Sequence, residues 1–287
     1  MSAAEAVTTS AMQARLAYWR RRPLLTFAVI FCGIELFLAA FAPWVSPYDP
    51  LKQNVLMRMK APSLAHWLGT DQFGRDILSR VLHGARASLA ISGGAVLLSL
   101  IIGGALGLVA AYVGGWLDRI VMRGMDIVFA FPVMLLAIAI VAMLGPGSVS
   151  GGIAIAVVYT PIFARLLRGP ALVIAASDYV LNARAIGASN TRIIWRHILP
   201  NLANVILVQT SLLLSAAILV EASLSFLGLG TQPPQPSLGL MLSEGRNVLL
   251  LSPWSAIFSG LAILLLAFGL NLLGDVLRDE LDPRLRT

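Results

Sequence analysis

The side chains that carry most enzyme chemistry are sparse in this sequence, and their spacing limits what they can do. Its two lysines, Lys52 and Lys60, neither follow a glycine nor precede a Ser or Thr. The Gly-Lys-Ser/Thr turn of a P-loop, whose lysine reaches the terminal phosphates of a nucleotide, is therefore missing. His66, His83 and His197 lie far apart, without an HExxH pair. Cys32 is the one cysteine, so neither a zinc site of the usual spacing nor an intrachain disulfide can be built. No Gly-x-Ser-x-Gly elbow presents a nucleophile. Ser259-Gly260 sits in an apolar run without a paired base, which fits a small-residue packing position better than an intramembrane hydrolase. The expectation is a chain that is not an enzyme, with no catalytic, cofactor or metal site of its own.

Three carboxylates stand out for their surroundings. Glu35, Asp126 and Glu221 interrupt apolar runs, and an acidic group in lipid needs a partner. They are the groups from which an ion-coupled transporter would build a relay. Blander roles compete. Asp126 follows Arg123 by three residues, which suits a local helical pair. Glu221 suits a hydrogen bond between helices as well as contact with a substrate. Glu35 suits either pairing with another subunit or a place in a polar cavity.

The elements that must position these groups follow from composition. The 287 residues are 58% apolar and only 12% charged, against about 45–50% and about 25% in soluble domains. Soluble enzymes, disordered regulators and disulfide scaffolds are excluded. The net charge of +7 would suit a nucleic-acid binder, but its arginines mostly flank apolar stretches, as in membrane proteins, and no nucleic-acid partner is expected. A spanning helix needs about 20 apolar residues, and six segments qualify, at about 24–45, 87–113, 120–144, 151–167, 205–227 and 254–273. The fold expected is an all-α integral membrane protein. Pro132 and Pro161 predict kinks in the third and fourth spans. Gly103 and Gly107, in a GxxxG, predict a close packing face in the second.

Arginine and lysine set the orientation. With the N-terminus inside, 14 of these residues fall on the cytoplasmic side and seven outside, which places both termini in the cytoplasm. The expected organisation is a cytoplasmic tail (1–23), a first span (24–45), an extracytoplasmic loop (46–86), a membrane domain (87–276) and a cytoplasmic tail (277–287). The membrane domain contains a cytoplasmic loop at 168–201 and an outer loop at 228–253. Within the first outer loop, Thr70-Asp71-Gln72-Phe73-Gly74-Arg75-Asp76 offers a capping residue for the amphipathic helical spacing of Ile77, Leu78, Val81 and Leu82.

The cytoplasmic loop is the most informative stretch. Residues 181–186 are good helix formers apart from Asn182, Gly187 can turn the chain, and helical pattern resumes from Thr191 until Pro200. Tyr179, Ala183 and Ile186 share one helical face at i, i+4 and i+7, an apolar stripe suited to lipid headgroups or to a groove on a soluble partner.

The pattern of Tyr179, Leu181, Asn182, Ala183, Arg184, Ala185, Ile186, Gly187, Ala188 and Ser189, with Leu199-Pro200 at the expected spacing, resembles the EAA loop of bacterial ABC importer permeases. Three further stretches resemble the C-type permeases of the dipeptide, oligopeptide and nickel branch. They are His66-Trp67-Leu68-Gly69-Thr70-Asp71 with Gly74-Arg75-Asp76, then Ser225-Phe226-Leu227-Gly228-Leu229-Gly230, and the tail from Asn271 to Arg286. The chain departs from the motif where its glutamate and first alanine fall on Leu181 and Asn182.

The resemblance implies the type I importer fold and an ATPase-coupling role for the loop. It implies a multi-pass subunit of a bacterial cytoplasmic membrane, seated in the lipid bilayer. Its partners would be a homologous B-type permease, two cytoplasmic ATP-binding subunits that carry the ATP and Mg, and an extracytoplasmic substrate-binding protein. The cargo implied is a di- or oligopeptide, with glutathione or a nickel chelate as alternatives. An ion-coupled secondary transporter competes on composition, but it leaves the glycine-hinged loop unexplained.

The 14-to-7 asymmetry generates a topology test. In a Cys32→Ser background, Ser63→Cys should react with an impermeant thiol reagent added outside intact cells, and Asn190→Cys should not; labelling of position 190 contradicts the six-span orientation.

Overall fold

A computed structural model describes residues 22–281. Expectations that rest on Arg15, Arg20 and Arg21 of the first tail, or on Arg284 and Arg286 of the last, lie outside the described residues. The helices are α1 (Pro23–Ala40), α2 (Ile77–Val113), α3 (Gly115–Phe129), α4 (Val133–Leu144), α5 (Ser148–Ala175) and α6 (Asp178–Ala185), followed by α7 (Asn190–Phe226), α8 (Leu238–Asn247) and α9 (Trp254–Leu281). No β-strand occurs among the described residues. Five helices, α1, α2, α5, α7 and α9, are long and apolar enough to cross a bilayer; α3 and α4, bent by 87° at their junction, make a sixth when counted as one span. The all-α expectation holds.

The boundaries depart from expectation for local reasons. Residues 77–86, expected in the outer loop, are the first turns of a 37-residue α2. Asp76 caps them, its carboxylate accepting from the Ser79 N–H and the Ser79 hydroxyl, both at 2.8 Å. The amphipathic segment and the apolar one are thus a single helix, about 55 Å long. The third span is broken, not merely kinked. Pro132 has no N–H and drives Phe131 out of helical geometry, so the Ala130 and Phe131 N–H groups end α3 on the carbonyls of Asp126 and Val128. Conversely α5 runs on through both Pro161 and Pro170. Pro200, expected to end the cytoplasmic helix, stands in the first turn of the regular part of α7, after a π-helical turn at Ile194–Ile198. A proline is tolerated there because the wide turn has already displaced the preceding carbonyls. The outer loop at 228–253 contains α8, and α9 continues into the segment expected as the C-terminal tail.

The bundle is organised around α2 and α5. A β-carbon on Gly103 would lie 2.1 Å from the Thr160 carbonyl oxygen, and one on Gly107 would lie 2.2 Å from that of Ala164. The two backbones touch, as the GxxxG predicts. Around this contact Val96, Ile155, Tyr159, Phe163 and Leu224 bury a first apolar cluster that draws in α4 and α7. A second joins α7, α8 and α9 through Ile218, Leu238, Ile263 and Leu266. Helix α1 lies outside α9, where Leu25 and Ala28 meet Val276, and Arg22 pairs with Glu280. One end of the bundle, the arginine end, carries α6 with Arg165 and Arg168. The far end carries the 46–76 loop and α8.

Gly103→Ala and Gly107→Ala should each destabilise the purified protein by about 1–3 kcal/mol, because neither carbonyl can yield to a methyl group. Gly93 and Gly94, whose β-carbons would meet nothing within 4 Å, are controls in the same helix. Alanine there should leave thermal unfolding in detergent unchanged or raise its midpoint.

Candidate functional site

At the arginine end, two residues link α5 to α6 before the chain turns back into α7. Asp178 stands in the first turn of α6 and Arg184 in the last, each favoured by the helix dipole. Gly187 ends the helix at φ +86°. Its N–H donates to the Arg184 carbonyl and the Ala188 N–H donates to that of Ala183, both at 3.0 Å. This is a Schellman stop, whose left-handed position favours glycine. Ser189 then caps α7 by accepting from the Arg192 N–H.

Helix α6 has one inward face. Val180 and Ala183 are buried with Leu108, Ala171, Ile193, Ile198 and Leu202, beneath the ends of α2, α5 and α7. Polar ties hold it there. Asn201 donates to the Tyr179 hydroxyl, the Tyr112 hydroxyl donates to Asn190, and the Arg184 guanidinium lies over the Tyr112 ring. The expected stripe of Tyr179, Ala183 and Ile186 is therefore not one surface. Ala183 points into the chain's own core, because a two-turn helix pinned on three sides presents only its remaining side outward. Leu181, Asn182, Arg184, Ala185, Ile186, Ser189 and Pro200 are exposed, Ala188 and Leu199 half-buried, and Ile186 is 86% exposed. Trp195, which the sequence did not single out, is also exposed.

The three intramembrane carboxylates are not brought together. Asp126 pairs with Arg165 of α5, not with Arg123 as the local spacing predicts, because the bend at Pro132 lays α3 against α5. Glu221 is buried and accepts from Ser88 of α2 at 2.6 Å, Ser225 at 2.8 Å and Ser237, the residue that precedes α8, at 3.4 Å. That is the interhelical hydrogen-bond role, extended to three helices. Glu35 makes no hydrogen bond or ion pair with the described residues. Its carboxylate lies over Gly269 of α9, where a β-carbon would come within 2.4 Å of it.

Sequence reasoning missed a buried charge cluster at the far end. Arg75 donates to Asp71 at 2.6 Å and to Glu244 of α8 at 3.0 Å. Arg80, fully buried in α2, also donates to Glu244, at 3.3 Å, and its Nε lies 3.5 Å from Asp71. Beside it His66 meets Asp76 at 2.9 Å. The i, i+4 spacing of Asp71 and Arg75 was a readable signal. The contribution of Glu244 was not, since five helices separate it from α2 along the chain.

Comparison with known proteins places these observations. Residues 103–287 match the model for the binding-protein-dependent transport system inner membrane component, and residues 10–62 match that for the N-terminal TM domain of oligopeptide transport permease C. The chain is 46% identical over 274 residues to a glutathione transport system permease protein of Pectobacterium atrosepticum, covering 94% of this chain and 91% of that one. It is 44% identical to a dipeptide transport system permease protein of Alkalihalophilus pseudofirmus, covering 93% and 88%. Among solved structures, an inward-facing MetNI methionine ABC transporter shares its fold, with a TM-score of 0.58 at 17% identity over 70% of this chain and 96% of that one.

Glu244→Ala would leave Arg75 and Arg80 buried against one carboxylate, and should destabilise the protein by about 3–5 kcal/mol. Glu35→Gln, which breaks no hydrogen bond, should change stability by less than about 0.5 kcal/mol. Thermal unfolding of the two purified variants checks both values.

Proposed function

The chain belongs to the family of binding-protein-dependent transport inner-membrane components, and on that premise we propose that it is the C-type permease subunit of an ATP-driven peptide importer. In this reading it forms the translocation path with a homologous B-type permease in a bacterial cytoplasmic membrane. Its arginine end faces the cytoplasm, in keeping with the distribution of basic residues. Two separate ATP-binding subunits supply ATP and Mg, and an extracytoplasmic binding protein delivers cargo to the far end. The cargo is a di- or oligopeptide. Glutathione, itself a tripeptide, falls in the same chemical class and is the alternative favoured by the relative from Pectobacterium atrosepticum.

The observation that carries the reading is α6. It is a two-turn helix whose inner face is locked into the core and whose outer face is left with Leu181, Ala185 and Ile186. An apolar face held rigidly outside the bundle fits a groove on another protein. Because Val180 and Ala183 are packed under the ends of α2, α5 and α7, a push on the outer face is delivered to the helices rather than lost in a loop. The ATPase subunits would apply that push as they close on nucleotide.

The test separates docking from folding. Ile186→Asp changes an exposed side chain, and Gly187→Val forces a branched residue into positive φ at about 1 kcal/mol or more. Both should leave the protein inserted and abundant while abolishing substrate-stimulated ATPase activity and uptake by the assembled importer. Ala183→Asp should instead lower abundance, because it drives a charge into the core. Near-normal uptake by the first two variants, with the ATPase subunits still attached, would refute the coupling role of α6. Identifying the ligand carried by a co-purified binding protein decides the cargo.

A further inference from the structure

Helix α3 is attached to the molecule in an unusual way. None of its residues is buried. Its firm ties to α5 are two charge pairs. Asp118 takes a two-pronged grip from Arg168, with Nε to Oδ1 and Nη2 to Oδ2 both at 2.6 Å. Asp126 takes Arg165, whose guanidinium also covers the Phe129 ring at 4.3 Å. At 1.5 Å of rise per residue, the aspartates stand about 12 Å apart along α3 and the arginines about 4.5 Å apart along α5. The pairs therefore converge, and α3 is gripped across a single turn of α5. That turn lies between Pro161 and Pro170, each of which deletes a backbone hydrogen bond inside α5. Beyond Pro170 the helix runs to Ala175, and only two residues separate it from α6.

We infer that Arg165 and Arg168 are positioning residues for transport, carrying motion from α6 to the broken span. This rests on the reading of α6 as the ATPase contact. A displacement of α6 enters α5 at its last turn and meets two proline joints. Without a grip between the joints it would be absorbed as bending of α5. With it, α5 and α3 turn together, and α3 in turn moves α4 about the break at Phe131-Pro132. The absence of a buried face on α3 suits this task. A helix held by charge pairs rather than by core packing can change partners without opening a cavity.

The experiment uses the complete importer reconstituted in liposomes with its binding protein. Asp118→Asn with Asp126→Asn removes both charges with little change of shape. At equal abundance this variant should lose about tenfold in uptake while its substrate-independent ATPase stays within about twofold of the parent. A charge exchange follows, combining Arg165→Asp and Arg168→Asp with Asp118→Arg and Asp126→Arg. It should recover uptake to about half of the parent level or more. Near-normal uptake by the Asn variant overturns the proposal. So does loss of abundance and thermal stability with unchanged uptake per complex, or an abundant exchange variant without recovery. The parent and Gly187→Val importers run alongside. If Gly187→Val couples as well as the parent, the assignment of α6 fails, separately from that of the arginines.

Discussion

Two helices can lie with backbone against backbone only where one of them lacks side chains, and α2 provides that place at Gly103 and Gly107. In a bilayer the solvent is as apolar as the helix surface, so close packing has to replace the hydrophobic effect as the force that holds helices together. The contact on the carbonyls of Thr160 and Ala164 sets how α5 leans on α2. Everything at the arginine end follows from it. The same lean delivers Arg165 and Arg168 to α3, and it carries the last turn of α5 to the cluster in which Val180 and Ala183 seat α6. A shift of one residue along this seam would bring Leu106 or Leu108 against a carbonyl and move the whole end.

What the sequence revealed and what it hid divide along a physical line. Features decided by neighbours in the chain were readable. The apolar spans, the GxxxG face and the turn at Gly187 each depend on a few adjacent residues, and each is present, although the ends of the spans lie elsewhere than expected. Features decided by distant residues were not. Asp126 had Arg123 one turn away and still pairs with Arg165, because the break at Pro132 rotates α3 as a whole. Glu244 carries no local sign of its two arginines. The inward turn of Ala183 was hidden for another reason. Helix α6 bears apolar residues on more than one side, so periodicity alone could not choose which side faces the core. Pro200 misled because a π-helical turn, invisible in composition, made room for it.

Polar groups inside the bundle are treated in three distinct ways. Glu221 is ringed by hydroxyl donors from three elements, so its oxygens are satisfied without a cation. Asp71, Arg75, Arg80 and Glu244 balance charge against charge, two of each sign. Glu35 has neither arrangement among the described residues and keeps its carboxylate over Gly269. The departure from the EAA pattern belongs with these facts. Leu181, which occupies the place of the motif's glutamate, is exposed, so no buried partner is orphaned by the change.

The far-end cluster also orders the making of the protein. Arg75 and Arg80 meet Glu244 across 169 and 164 residues of chain. During synthesis the helices from α2 through α7 are laid into the membrane before α8 exists. Over that interval two guanidinium groups share the single carboxylate of Asp71, and their end of the bundle carries an uncompensated positive charge that cannot be enclosed without a heavy desolvation cost. The arrival of α8 neutralises it and allows the end to close. A half-inserted chain thus differs from a finished one in an exposed, charged surface, the kind of difference by which chaperones and proteases sort nascent membrane proteins from mature ones.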